Sequence, residues 1–229
     1  MARVANEEER AVKRNTILDA AQQLVYTKGY EQMSIQDILT ALKISKGAFY
    51  HYFSSKQALL EGLVARMLDE SEQVLQPIAQ DPALTALEKL HRYAAASARW
   101  KTSQKSFLVA LLRIWYDDRN AILRQKQQAM SLERGAPMVA AIIRQGVAEG
   151  VFVTTYPEQS SEILVNLLVG MGEAWARIML ADPPLPDAVP RLERLVAAYT
   201  EALERLLGVP PGALKLVDKK TIKAWATAA

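Results

Sequence analysis

The sequence predicts an all-α protein, with a small N-terminal helix-turn-helix domain followed by a larger helical domain. Three observations carry this expectation. Apolar residues recur at i, i+3 and i+4 along almost the whole 229-residue chain. Only Val151-Phe152-Val153 reads as extended, and it is too short to anchor a sheet. The stretch from Ser34 to Lys56 holds two short helical patterns separated by a tight turn. A chain of this length that is 50% hydrophobic can bury a sizeable core.

The elements follow in order. Ile17, Leu18, Ala21, Leu24 and Val25 share one helical face, and Gly29-Tyr30 has the form of a left-handed cap, so a first helix is expected over roughly 7 to 28. Ser34 opens the second helix with Asp37 in the capping-box position, and Ile35, Ile38, Leu39 and Leu42 make its inward stripe. Ser45 is the expected N-cap of the third helix. A long fourth helix starts at Ser54 or Ser55 and carries the pairs Leu59/Leu60, Leu63/Val64 and Met67/Leu68. It is expected to run to about Gln76, where Pro77 and then Asp81-Pro82 break the pattern. Helical spacing resumes over 83–102, 105–117, 120–149, 158–181 and 187–207. Beyond Gly208 the tail carries Pro210-Pro211 and Lys215, Lys219, Lys220 and Lys223; it reads as a short helix around Thr221 to Trp225, an oligomer contact or a loose end.

Net charge is only +3, and its placement says more: residues 1–56 carry eight Lys/Arg against six Asp/Glu, the remainder twenty against nineteen. There is no cysteine, and His51 and His91 are the only imidazoles. Disulfides and structural zinc are thereby excluded, and no metal or cofactor is expected. A charged N-terminus and the lack of any run of ~18 apolar residues point to a cytoplasmic protein with no membrane partner.

At 100° per residue, Lys46, Gly47, Tyr50, His51 and Ser54 fall within about 140° of one another, while Ala48, Phe49, Tyr52 and Phe53 fill the opposite arc. One face is core and the other is displayed. No Asp or Glu occurs from Ile38 through Leu60, whereas Lys43, Lys46 and Lys56 do, so the displayed face suits a polyanion. Gly47 lets a backbone approach a groove closely, Tyr50 offers a phenol to phosphate and a ring to a thymine methyl, and Lys46 reaches guanine acceptors. A lone His51 on such a face has no second metal ligand, which leaves a DNA contact as its role. Arg3, Lys13 and Arg14 either add phosphate contacts or are solvated.

The chain resembles a TetR-family transcriptional regulator. The resemblance is densest at Ile17 to Gly29, at Ser34 to Leu42, and at Ser45-Lys-Gly-Ala-Phe-Tyr-His-Tyr-Phe-Ser-Ser-Lys56 followed by Ala58-Leu-Leu; a looser pattern follows at Gly150-Val-Phe152, Pro157 and Leu167-Leu168-Val169-Gly170. It implies a two-fold dimer with a DNA-binding domain over 1–56 and an effector-binding and dimerisation domain over 57–229. Carried over by position, Ser34 would contact phosphate and Gln36 would approach the groove. Ser45, Lys46, Gly47, Ala48, Tyr50 and His51 would form the recognition face, and Lys56 would contact the DNA backbone. Two positions depart from the pattern: Lys43 stands where many members have glycine, and Leu39 where alanine is common.

In the second domain, Trp100, Phe107, Trp115, Met130, Met138, Met171 and Trp175 suit a roomy apolar cavity for an apolar or amphipathic effector, or else ordinary core packing. Arg99, Asn166, Glu173 and Arg177 are the polar candidates, and Glu173 and Arg177 can pair with each other. His91 either packs or meets a ligand. Residues 163–180 are apolar nearly all round, and the next helix has a stripe of Leu192, Leu195, Val196, Tyr199, Leu203 and Leu206 with Glu204 among the charges outside it. Leu167, Gly170, Ala174, Leu195, Tyr199 and Leu203 are therefore expected at a homodimer interface, the alternative being a core helix of one chain.

The expected function is a ligand-responsive regulator, by family default a repressor, released from a palindromic operator in double-stranded DNA. The alternatives are an effector-independent or architectural DNA-binding protein, and a helical enzyme or carrier. The second domain is larger than DNA docking needs, which disfavours the former. No Ser-His-Asp set, phosphate loop or metal cluster supports the latter, and no enzymatic activity is expected.

Overall fold

The computed structural model describes residues 2–115 and 121–226, the side chains of 2–6, 115 and 123 lying outside that description. The helices are α1 (Ala2–Lys28), α2 (Ile35–Leu42), α3 (Lys46–Tyr50), α4 (Lys56–Gln80), α5 (Ala86–Ser103), α6 (Lys105–Trp115), α7 (Ala121–Ala148), α8 (Pro157–Met179), α9 (Ala188–Leu207) and α10 (Lys219–Ala226). Among the described residues there is no strand; Val151–Val153 makes a single backbone bond to α9, from Val153 N–H to the Leu207 carbonyl at 2.8 Å. The chain gathers into two compact units, residues 1–69 with 106–123, and residues 70–105 with 124–229.

The first unit is built on the apolar faces read from sequence. Ile17, Leu18, Ala21 and Val25 of α1, Ile38 and Leu39 of α2, Phe49 and Phe53, and Leu59, Leu60 and Leu63 of α4 are all buried. Each of the larger of these side chains contributes roughly 1.5–3 kcal/mol when taken from water. Residues 106–123 join this unit through Phe107, whose ring lies 5.8 Å from that of Tyr26. Gly62 marks a close approach: a Cβ there would sit 2.8 Å from a Phe53 ring carbon and 3.2 Å from Leu18.

The second unit starts α5 with a capping box formed by Thr85 and Glu88. Glu149 accepts from Ala86 N–H at 2.9 Å and Gln145 donates to the Leu84 carbonyl at 2.8 Å, fastening this start to the end of α7. Ala136, Val139, Ile142 and Ile143 of α7, Phe152, Leu164 and Val165 of α8, and Leu203 and Leu207 of α9 share one core. A smaller cluster of Met179, Leu192, Val196 and Ile222 seats α10.

Two sequence expectations change here. Pro77 lies inside α4, which continues to Gln80; Leu75 and Ala79 are buried on either side of it, and that burial carries the helix past the missing N–H. Glu204 is not on the outside of α9 but 5% exposed, because the chain turns back and its carboxylate accepts from Leu214 N–H at 2.9 Å. Of the readings open for the tail, the short helix is the one found: α10 spans Lys219–Ala226, with Ile222 and Trp225 buried.

Gly62→Ala is expected to lower stability by about 1–2 kcal/mol, because overpacking Phe53 outweighs the gain in helix propensity. A urea melt of the variant against the parent checks this; an unchanged midpoint would show that Phe53 can retreat.

Candidate nucleic-acid interface

The helix-turn-helix is fixed by its caps. Ser34 Oγ accepts from Asp37 N–H at 3.1 Å, and Asp37 Oδ2 accepts in return from Ser34 N–H at 2.9 Å. Lys28 Nζ donates to Asp37 Oδ1 at 2.6 Å, joining the end of α1 to the start of α2. These bonds, the Lys28 one foremost, hold the Asp37 carboxyl down at about 2. At the far end of α2, Lys43 caps the helix at φ 54°, the one non-glycine residue with positive φ among those described, and its N–H reaches the Leu39 and Thr40 carbonyls. Left-handed backbone costs an L-residue about 1–2 kcal/mol, so Lys43 occupies a glycine position at an energetic cost. Ser45 Oγ then accepts from Ala48 N–H at 3.2 Å and starts α3.

Phe49 (0% exposed) and Phe53 (3%) aim inward with their rings 6.0 Å apart, while Ser45, Lys46, Gly47, Ala48, Tyr50 and His51 are all exposed. Ala48 differs from the arc reading, which set it with the core. Phe49 and Phe53 point near 320° on the helical wheel, so Ala48 at 200° lies about 120° away and Tyr52 at 240° is only half-buried. The Lys46 ammonium stands 5.9 Å from the Tyr50 ring, and Tyr50 packs edge-on against Phe49. A Cβ on Gly47 would meet only Ser45 Oγ, at 3.9 Å. The fold itself does not need a glycine there.

Ser34 and Gln36 are exposed as expected, although the Ser34 hydroxyl is already engaged with Asp37 and Gln36 Nε2 lies 3.4 Å from Thr40 Oγ1. Lys56 points back: its ammonium donates to the Glu31 carbonyl at 3.1 Å and lies 4.4 Å from the Tyr30 ring, and burial lowers its pKa. Burial likewise pushes the Tyr30 phenol up to about 12. Arg14, read as a phosphate contact or a solvated side chain, instead rests 5.1 Å over the Phe53 ring, a brace that periodicity does not signal. Lys13 pairs with Glu9 at 2.6 Å, and Arg3 falls outside the described side chains.

The expected effector residues separate. Phe107 belongs to the first unit, and the Trp115 side chain lies outside the described residues. In the second unit Met138 packs on the larger core, Met171 and Trp175 on the smaller cluster, and Trp100 and Met130 are half-buried. Glu173 takes a bond from Gln128 rather than waiting for a ligand, and His91 Nε2 lies 2.7 Å from the Ala213 carbonyl. Of the expected dimer residues, Leu167, Gly170, Ala174, Leu195 and Tyr199 keep accessible surface, and the Tyr199 hydroxyl would stand 3.2 Å from a Cβ at Gly170. Leu203, at 1% exposed, is spent in its own chain's core and has no surface left for a partner.

Two family descriptions match this chain. "Bacterial regulatory proteins, tetR family" covers residues 17–63, and "Tetracyclin repressor-like, C-terminal domain" covers 116–170. The regulator EthR of Mycobacterium tuberculosis is 34% identical over 76 residues, 33% of this chain and 35% of EthR, so the match spans about a third of that relative. The Escherichia coli repressor NemR is 22% identical over 189 residues, covering 80% of this chain and 94% of NemR. Among solved structures, a TetR-family regulator from Pectobacterium atrosepticum superposes with a TM-score of 0.65 at 22% identity, over 90% of this chain and 98% of that one. Reduced E. coli NemR superposes at 0.56 and 17% identity, over 86% and 99%. These structural likenesses show the fold.

Two outcomes follow from the caps. The Asp37 carboxyl should titrate near 2 by NMR; because its folded pKa is depressed, its stabilisation is full above about pH 4 and fades as pH falls toward 2. A pKa near 4 would show the capping box to be open in solution. Lys43→Gly should raise stability by about 0.4–1 kcal/mol in a thermal melt.

Proposed function

Because the chain belongs to the TetR family of bacterial regulatory proteins, we propose that it is a homodimeric DNA-binding transcriptional regulator that represses from a palindromic operator and is released by a small, largely apolar or amphipathic molecule. One observation carries the DNA-reading part: Lys46, Gly47, Tyr50 and His51 are exposed together over a buried Phe49, on a stretch with no carboxylate from Ile38 through Leu60. Lys46 supplies a cation for guanine acceptors and phosphate. Tyr50, 44% exposed, supplies a ring and a phenol. Gly47 is open to a phosphate backbone.

The dimer is supported by the α8–α9 pair, where Ile163 leaves 48% of its surface exposed and Leu167, Leu195 and Tyr199 are only half-covered. Two copies would present recognition helices about 34 Å apart, one turn of DNA. A switch makes a quantitative demand. Reversing a 99:1 preference for the DNA-bound state takes about 10⁴-fold tighter binding to the released state, roughly 5.5 kcal/mol. Repression is supported by the relative named a repressor, NemR.

Recovery and sequencing of genomic fragments bound at near-physiological salt tests this reading. A shared palindrome is expected, with affinity for it reduced about tenfold or more in Lys46→Ala and Tyr50→Ala. Uniform affinity across sequences, with the salt dependence of phosphate contacts alone, would favour a nonspecific binder instead.

A further inference from the structure

Lys56 is read from sequence as a contact to the DNA backbone, yet the structure turns it into the protein. It is the first residue of α4, where the positive end of the helix dipole disfavours a cation. Its ammonium finds negative partners at the other end of the helix-turn-helix. It donates to the Glu31 carbonyl at 3.1 Å and lies 4.4 Å from the centre of the Tyr30 ring. The contact is returned, because the Tyr30 hydroxyl donates to the Lys56 carbonyl at 3.4 Å.

Tyr30 and Glu31 lie in the turn between α1 and α2, and Lys56 follows the link that leaves α3. The three contacts therefore clasp the segment entering the helix-turn-helix to the segment leaving it, 25 and 26 residues further on. The exposed Lys46, Gly47, Tyr50 and His51 all stand on the loop of chain so closed. Phe49 and Phe53 set which way α3 faces, and the clasp limits how far the α2–α3 pair can shift against α1 and α4. The half-buried ammonium has given up part of its hydration, and that loss lowers its pKa in spite of the Glu31 charge nearby. Reaching out to a phosphate would break the carbonyl bond and uncover the ring.

We propose that Lys56 is a positioning residue for operator recognition and not a phosphate contact: through Tyr30 and Glu31 it holds the α2–α3 pair in the geometry that reading base edges requires. This rests on the reading of the chain as an operator-specific regulator. Binding of the full chain is measured across a salt series on two duplexes of equal length, one carrying the recovered palindrome and one of random sequence. Lys56→Met should weaken palindrome binding about tenfold and leave the slope of log affinity against log salt unchanged on both duplexes, whereas a lost phosphate contact would reduce that slope by about one per protomer. Lys56→Arg, which keeps a cation over the ring, should stay close to the parent. Tyr30→Leu should show the same loss as Lys56→Met, and the double variant no more than either alone, because one clasp is broken in all three. If Tyr30→Leu melts below the assay temperature, Tyr30→Phe takes its place in the cycle, keeping the ring and losing the hydroxyl bond. A reduced slope in Lys56→Met, unchanged palindrome affinity, additive losses, or a Lys56→Arg variant as weak as Lys56→Met would overturn the proposal. Recovery of no palindrome would instead defeat the reading as an operator-specific regulator, and the slopes on the random duplex would still decide whether Lys56 touches phosphate.

Discussion

Phe49 anchors a helix of five residues, far too short to persist through its own hydrogen bonds. Its orientation is therefore a product of burial: Phe49 and Phe53 are held among α1 and α4, Arg14 covers the outer side of Phe53, and Gly62 clears the space the ring occupies. Fixing two aromatic side chains on one arc leaves Lys46, Gly47, Tyr50 and His51 nowhere to point but outward. The recognition face is a consequence of the core behind it.

The caps set where that helix begins. Lys28, Asp37 and Ser34 form a short polar chain from α1 to α2, and the Ser45 hydroxyl caps the start of α3. Between them Lys43 holds a left-handed turn that glycine would adopt without strain. The same residue adds a charge to a stretch without carboxylates, which is a reason for a lysine to stand at a strained position.

The second unit uses polar groups in a complementary way. Glu204 and His91 each bind the backbone of the 213–214 segment, and these two contacts steer the tail so that Ile222 and Trp225 reach the cluster on α8 and α9. Removing either group would leave a backbone donor or acceptor without its partner, at about 1–3 kcal/mol where the site is buried. The tail is thereby a part of the unit's core and not an appendage to it.

Helical periodicity and capping are local properties, and the sequence determined them: the succession of helices, the Ser34–Asp37 box, the Ser45 cap, and the exposure of Lys46, Tyr50 and His51 opposite Phe49. The tertiary structure decided which apolar surface meets which. It buried Leu203 within its own chain, gave Phe107 to the first unit, drew Glu204 inward, carried α4 past Pro77 and seated Trp225 on Trp175. The physical reason is that a hydrophobic stripe states only that it will be covered; the identity of its cover depends on residues more than a hundred positions away, as with Thr102 and Trp225.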